Sequence, residues 1–183
     1  MTPLITLFTA PKPFTDPHIA MIQQNTLRNW NALGEAVQVV VVGDDPGVAE
    51  VCEEMGLIHR QNVRCNTMGT PLISSIFDLA RSVNQSPYLI YANADILFLP
   101  DLVERVQALG SEKSQFLGVG QRWDLDVHEP ISFSKGWGEQ LRLRTEREGQ
   151  LHGQTGSDYF IFPRQCFVEI PDFAAVSYTH LTL

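Results

Sequence analysis

Apolar and polar positions fall in blocks whose period changes along the chain. Leu4 to Phe8 is a short apolar run closed by Thr9-Ala10-Pro11-Lys12-Pro13. It predicts a buried strand with a stiff loop at its carboxyl end. Thr15-Asp16-Pro17 then places a capping residue before Pro at the first helical position. Ile19, Ile22, Thr26, Leu27, Trp30 and Leu33 recur at helical spacing, and Gly34 marks the stop. Val37 to Val42, VQVVVV, is rich in β-branched residues and predicts a central strand, ending in Gly43-Asp44-Asp45-Pro46-Gly47. A short helix is expected from Val48 to Met55, closed by Gly56, then a strand from Leu57 to Arg60. Asn62 to Gly69 is a polar loop. Thr70-Pro71 predicts the start of a helix with Leu72, Ile73, Ile76, Phe77, Leu79, Ala80 and Val83 on its apolar side.

The run Pro87 to Asp101, PYLIYANADILFLPD, comes next. Its apolar opening, Tyr88 to Ala92, predicts a strand buried on both faces that delivers Asn93-Ala94-Asp95 to the edge of a sheet. Asp101 to Leu109 reads as a helix ended by Gly110, and Phe116 to Gly120 as a further strand. Strands alternating with helices imply parallel βαβ units, hence an α/β fold with a mostly parallel central sheet and helices on both faces. After Gly120 the pattern changes. Gln121 to Lys135 reads as a long loop, Trp137 to Glu148 as an amphipathic helix, Gly149 to Gly156 as polar and Gly-rich, and Asp158 to Pro163 as a last strand beginning with an acid.

Composition narrows the classes. The chain of 183 residues is 44% hydrophobic and 19% charged, which suits one soluble globular domain. A formal charge of −8 argues against nucleic acid as a partner, because such partners are met by a basic face. It leaves room for an anionic small molecule held by a metal and a few local donors. No apolar run approaches the roughly 20 residues that cross a bilayer, and the N-terminus lacks the order of a signal peptide. Three cysteines without a CxxC fit free thiols in a reducing compartment, so a cytoplasmic location is expected. The last residues, VSYTHLTL, follow EIPDFAA without pattern and look like the translation of a sequencing-library adapter. The expected division is therefore a domain over residues 1–175, cut at its C-terminus, and a non-native tail over 176–183.

Three polar groups fall at predicted carboxyl ends of strands: Thr9-Ala10-Pro11, Asp44-Asp45 and Asn93-Ala94-Asp95. In one parallel sheet these ends share an edge, where ligands bind in open α/β folds. Carboxylates there suit a hard cation, Mn²⁺ or Mg²⁺, that shares its shell with substrate phosphates. No GxGxxG follows the first strand, and no GxxxxGK[ST] or GxSxG is present, which counts against a dinucleotide site, a P-loop and a hydrolase elbow. His18, His59, His128 and His152 show no ligand-like spacing.

The stretches VVVVGDDPG and NTMGTPLISSIFDLARSVNQSPYLIYANADILFLPD resemble those of GT-A glycosyltransferases, the nucleotide-diphospho-sugar transferase superfamily. The resemblance runs over roughly 4–120. It implies a GT-A-like fold and metal-dependent transfer of a sugar from a nucleotide-diphospho-sugar donor to an acceptor, which could be a glycan, a lipid or a protein. It implies that Thr9, Ala10 and Pro11 line the nucleoside pocket and that Asp44 or Asp45 bonds the base or ribose. Asn93 and Asp95 would be the first and last positions of a DxD motif, with Asp95 on the metal. Asn in place of the first Asp makes that site less negative by one charge. Asp158 is the leading candidate for the base that takes the acceptor's proton, with Asp124 and Asp126 behind it. Trp123 could stack on a sugar or nucleobase. Two alternatives remain: a non-catalytic GT-A-like protein that binds nucleotide or sugar, and a sugar-1-phosphate nucleotidyltransferase.

Overall fold

Ile5–Thr9 (β1) is buried at every position and stands near the middle of the sheet. The computed structural model describes residues 2–154 and 156–172. The expected domain end at 175 and the tail over 176–183 lie outside them. The order along the chain is β1, α1 (Pro17–Asn31), β2 (Val37–Val42), α2 (Val48–Met55), β3 (Ile58–Arg60), α3 (Ile73–Arg81), β4 (Tyr88–Ala92) and α4 (Leu102–Glu112). It continues with β5 (Gly118–Val119), β6 (Trp123–Asp124), α5 (Trp137–Glu148), β7 (Gln150–Leu151) and β8 (Tyr159–Pro163). The expected α/β architecture forms as a six-stranded sheet in the order β3-β2-β1-β4-β8-β5, with β6 and β7 as a separate ribbon. β1, β2, β3 and β4 are mutually parallel, and β8 enters antiparallel between β4 and β5.

Alternation along the strands divides the core. Ile5, Leu7, Val39, Val41, Ile90 and Ala92 face one side, where α1, α2 and α4 contribute Leu27, Trp30, Val51, Cys52, Leu102 and Val106. Phe8, Val40, Val42, Leu89 and Phe162 face the other, against Ile76, Phe77 and Ala80 of α3. Phe77 stacks on Phe162 at 5.6 Å and meets Phe8 edge-on at 4.9 Å. Both faces of the parallel strands are thus covered, which is why these strands read as continuous apolar runs.

Several boundaries depart from expectation. The helix expected from Thr70-Pro71 begins at Ile73, because Pro71 is drawn into a bridge with Cys65 and Asn66 Oδ1 closes the loop on the N–H groups of Met68 and Thr70. Gly110 does not stop α4, which runs to Glu112. A Cβ there would lie 1.7 Å from the Tyr88 hydroxyl, so the glycine admits the close crossing of α4 over β4. The strand expected from Phe116 to Gly120 contracts to Gly118–Val119 at the sheet edge. The loop expected over Gln121 to Lys135 contains β6, paired with β7 through Trp123–Leu151 and Asp124–Gln150. Among the described residues, no helix is long and apolar enough to cross a membrane.

Candidate functional site

The chain runs from β1 outward through β2 to β3, then returns to place β4 on the other side of β1. Connections therefore diverge between β1 and β4, the kind of switch point at which open α/β sheets bind ligands. Phe8 pairs with Tyr91 and Thr9 with Val41, so the loops after β1, β2 and β4 leave the sheet at one level. The strand-end groups singled out in the sequence are brought to one edge.

Their side chains behave differently. Thr9 is fully buried and its hydroxyl has no hydrogen-bond partner among the described residues; Pro11 is buried and Ala10 half-buried. What this loop presents to the edge is mostly Ala10 and Lys12. Asp44 is exposed, and its carboxylate accepts from the backbone N–H of Asn62 at 2.9 Å and of Val63 at 3.3 Å, closing the loop after β3. Asp45 is half-buried, and its carboxyl has no partner among the described residues. Loss of surrounding water, and then the negative Asp44 beside it, push its pKa above the ordinary carboxylate value.

The antiparallel entry of β8 supplies the site's other wall. Ala92 pairs with Tyr159, and the Asn93 N–H donates to the Asp158 carbonyl at 2.9 Å. The Asn93 side-chain amide donates to Asp158 Oδ1 at 3.2 Å, while Arg122 donates to Asp158 Oδ2. Both oxygens of Asp158 are thereby engaged. Arg122 also donates to Asp124 Oδ1 at 2.8 Å, and the Asp124 Oδ2 accepts from His152 Nδ1 at 2.7 Å. In extended backbone, residues two apart share a face, so Arg122, just before β6, and Asp124 within it turn toward this network while Trp123, 48% exposed, projects from the other face. Its hydrogen bonds hold the Asp124 carboxyl below the ordinary range, the one from His152 first and that from Arg122 second. Asp126 stands apart, exposed and paired with His128 at 2.9 Å.

Asp95 lies beside this network with exposed surface but crowded by protein. Its pKa is raised, first by desolvation and then by the negative Asp158; a hydrogen bond from its own backbone N–H, then Arg122 and Lys12, pull the other way. The segment that carries it is held from behind by α1. Asn29 both donates to the Phe98 carbonyl at 3.0 Å and accepts from the Phe98 N–H at 2.7 Å, and Trp30 Nε1 donates to the Ile96 carbonyl at 2.8 Å. Asn25 clasps the 129–131 backbone in the same two-point way, at 3.0 and 2.8 Å.

As a metal centre, this corner offers Asp95, a carboxylate bound by no other side chain among the described residues, beside the neutral amide of Asn93. Among the described residues, no group of three or more His, Cys, Asp or Glu forms a cage. The set fits a hard cation that takes most of its shell from water and substrate phosphates, and does not fit a protein-only site. The sequence pattern does not single out Arg122, Lys12, His152 or the amides of α1, which the fold brings to or behind this corner. The alternation Arg122-Trp123-Asp124 was the available signal, obscured because strands of two residues leave no periodicity.

No family model matches the chain, and no curated protein matches it. Among solved structures, S. aureus TarS shares 15% identity over 62% of this chain and 20% of its own length, with a TM-score of 0.44. TarS 1–349 in complex with UDP-GlcNAc shares 15% identity over 62% of this chain and 32% of its own, with a TM-score of 0.42. A provisionally named nucleotide-diphospho-sugar transferase from Desulfovibrio desulfuricans G20 shares 15% identity over 63% and 56%, with a TM-score of 0.40. The chain thus spans less than two thirds of the length of each of these proteins.

Proposed function

We propose that this protein is a GT-A-like glycosyltransferase, moving a sugar from a nucleotide-diphospho-sugar to a hydroxyl of a glycan, lipid or protein acceptor. The observation that carries this is the β1/β4 switch point, where the Asn93-Ala94-Asp95 turn stands against Asp158. The corner holds more acid than base: Asp95, Asp124 and Asp158 against Arg122 and Lys12. A diphosphate adds negative charge, so a cation must accompany it. Bound Mn²⁺ or Mg²⁺, with Asp95 and Asn93 as its protein ligands, would supply that neutralisation.

In the reaction, the acceptor oxygen bonds to the anomeric carbon, the bond from that carbon to the phosphate oxygen breaks, and the nucleoside diphosphate leaves with the electron pair. Asp158 takes the acceptor's proton. To do so it gives up a hydrogen bond from Arg122 or Asn93, so Arg122 holds the base in place until the acceptor arrives. The β1 loop and Asp45 meet the nucleoside.

Calorimetric titration with UDP- and GDP-sugars in the presence of Mn²⁺ tests this. Binding by the native chain that Asp95→Ala abolishes is the expected result; no binding, or equal binding by both, sinks the proposal. Asn93 in place of an acid favours a second reading, a protein that binds nucleotide without turnover. Undiminished binding in EDTA, with no sugar transferred or hydrolysed, would select it. The nucleotidyltransferase alternative gains nothing from TAPKP, which has no glycine to wrap a triphosphate.

A further inference from the structure

We propose that Lys12 is the protein's own cation for the diphosphate of the donor, an inference that rests on the glycosyltransferase reading above. Lys12 sits in the loop leaving β1, between Pro11 and Pro13, whose rings fix φ on either side of it. Its backbone is gripped at both ends by one side chain of α1. The Lys12 N–H donates to Gln23 Oε1 at 2.7 Å, and Gln23 Nε2 donates to the Lys12 carbonyl at 3.0 Å. Gln23 is 4% exposed, and a buried amide is tolerated because both of its ends are satisfied here. The result is a lysine set on a stiff, clamped platform, so little backbone freedom is lost when its side chain takes a ligand.

The ammonium itself is uncommitted. Lys12 is half-buried, yet it makes no side-chain hydrogen bond and no close ion pair among the described residues. It lies within electrostatic reach of Asp95. Arg122, the other cation of this corner, is engaged by Asp124, Asp158 and His152 Nε2. A cation with free donors, on the loop that leaves β1 at the switch point and within electrostatic reach of Asp95, suits a phosphate oxygen. A lysine serves there as a compact point charge with three rotatable donors.

Titrations of four compounds read this out: UDP against uridine and GDP against guanosine, in Mg²⁺ buffer, each with the native chain, Lys12→Gln and Lys12→Arg. The native chain should bind the diphosphate of its preferred base more tightly than the nucleoside. Lys12→Gln should weaken the diphosphate on the order of tenfold, the size of one charge-assisted bond, and leave the nucleoside unchanged. Lys12→Arg should retain most of the affinity. The dependence of diphosphate affinity on salt should become shallower in Lys12→Gln, which a change of loop shape alone would not produce. Native-like diphosphate binding by Lys12→Gln overturns this inference and leaves the glycosyltransferase reading standing. Equal weakening of diphosphate and nucleoside also overturns it, placing Lys12 at the nucleoside. If the native chain binds none of the four compounds, the parent reading fails and this inference with it.

Discussion

Asp44 and Asp45 are neighbours in sequence with opposite circumstances in the fold. Asp44 is tied to the backbone of Asn62 and Val63, so its carboxylate braces a loop. Asp45 has no such bond and titrates above the ordinary carboxylate value. A carboxyl whose pKa is higher folded than unfolded binds more protons in the fold. Its stabilising contribution is full below the unfolded value and is lost as pH rises through the folded one. Asp45→Asn should therefore raise the thermal midpoint near neutral pH and leave it unchanged below the carboxylate range, a difference that melting curves across pH would resolve. The same substitution should weaken nucleoside binding if Asp45 meets the base or ribose, so stability and binding would move in opposite directions. Asp44→Ala should instead destabilise the chain by about 1–2 kcal/mol in urea unfolding, because two backbone donors lose their acceptor. GDDPG marked this turn as a place for chemistry but did not separate its two acids. The partners of Asp44 follow β3, and only the β2–β3 pairing brings them back.

At the scale of elements, α1 is the organiser. Its apolar spacing foretold the face that packs on the sheet, with Leu27 and Trp30 buried as expected. Its polar positions were harder to read. Gln23, Asn25 and Asn29 are all buried, and each mimics a peptide group toward a different passing segment. Periodicity assigns such residues to solvent because it registers hydrophobicity and is blind to amides satisfied by backbone. Asn29→Ala leaves the Phe98 N–H and carbonyl unpaired in a dry site, and should cost roughly 2–4 kcal/mol by urea unfolding. Trp30→Phe keeps most of the packing, loses the bond to Ile96, and should cost about 1 kcal/mol. Punctuation was legible in part. Asp16 caps α1 as foreseen, accepting from the N–H groups of His18 and Ile19, both at 2.9 Å. Gly110 looks like a stop in the sequence, because a glycine needed for close approach is indistinguishable there from one that ends a helix.

The whole molecule joins a parallel half, β1 to β4, to a second part of short elements. The parallel half is largely legible, since apolar strands and amphipathic helices carry strong periodic signals, although the start of α3 and the end of α4 are not. The second part was not: β5, β6 and β7 are two residues each, and their order depends on β8 reaching across to β4. The candidate site spans that junction, which is why the sequence located Asn93, Asp95 and Asp158 without their surroundings. Arg122 is the fastening. Its guanidinium bonds Asp158 at the start of β8 and Asp124 within the ribbon, while its carbonyl accepts from the His152 N–H at 2.9 Å. Its side chain is 28% exposed and that of Asp158 18%, so water screens this pair less than the surface ion pairs of α5. Arg122→Gln should accordingly loosen the ribbon and leave the sheet intact. Hydrogen exchange offers the measurement: amides of 122–124 and 150–152 should exchange roughly tenfold faster, equivalent to about 1.4 kcal/mol, while those of β1, β2 and β4 keep their native protection. Unchanged ribbon exchange would mean that β6 and β7 hold themselves, and that Arg122 serves the carboxylates alone. Faster exchange throughout the sheet would mean that the two parts unfold together, with Arg122 supporting the fold and not only the site.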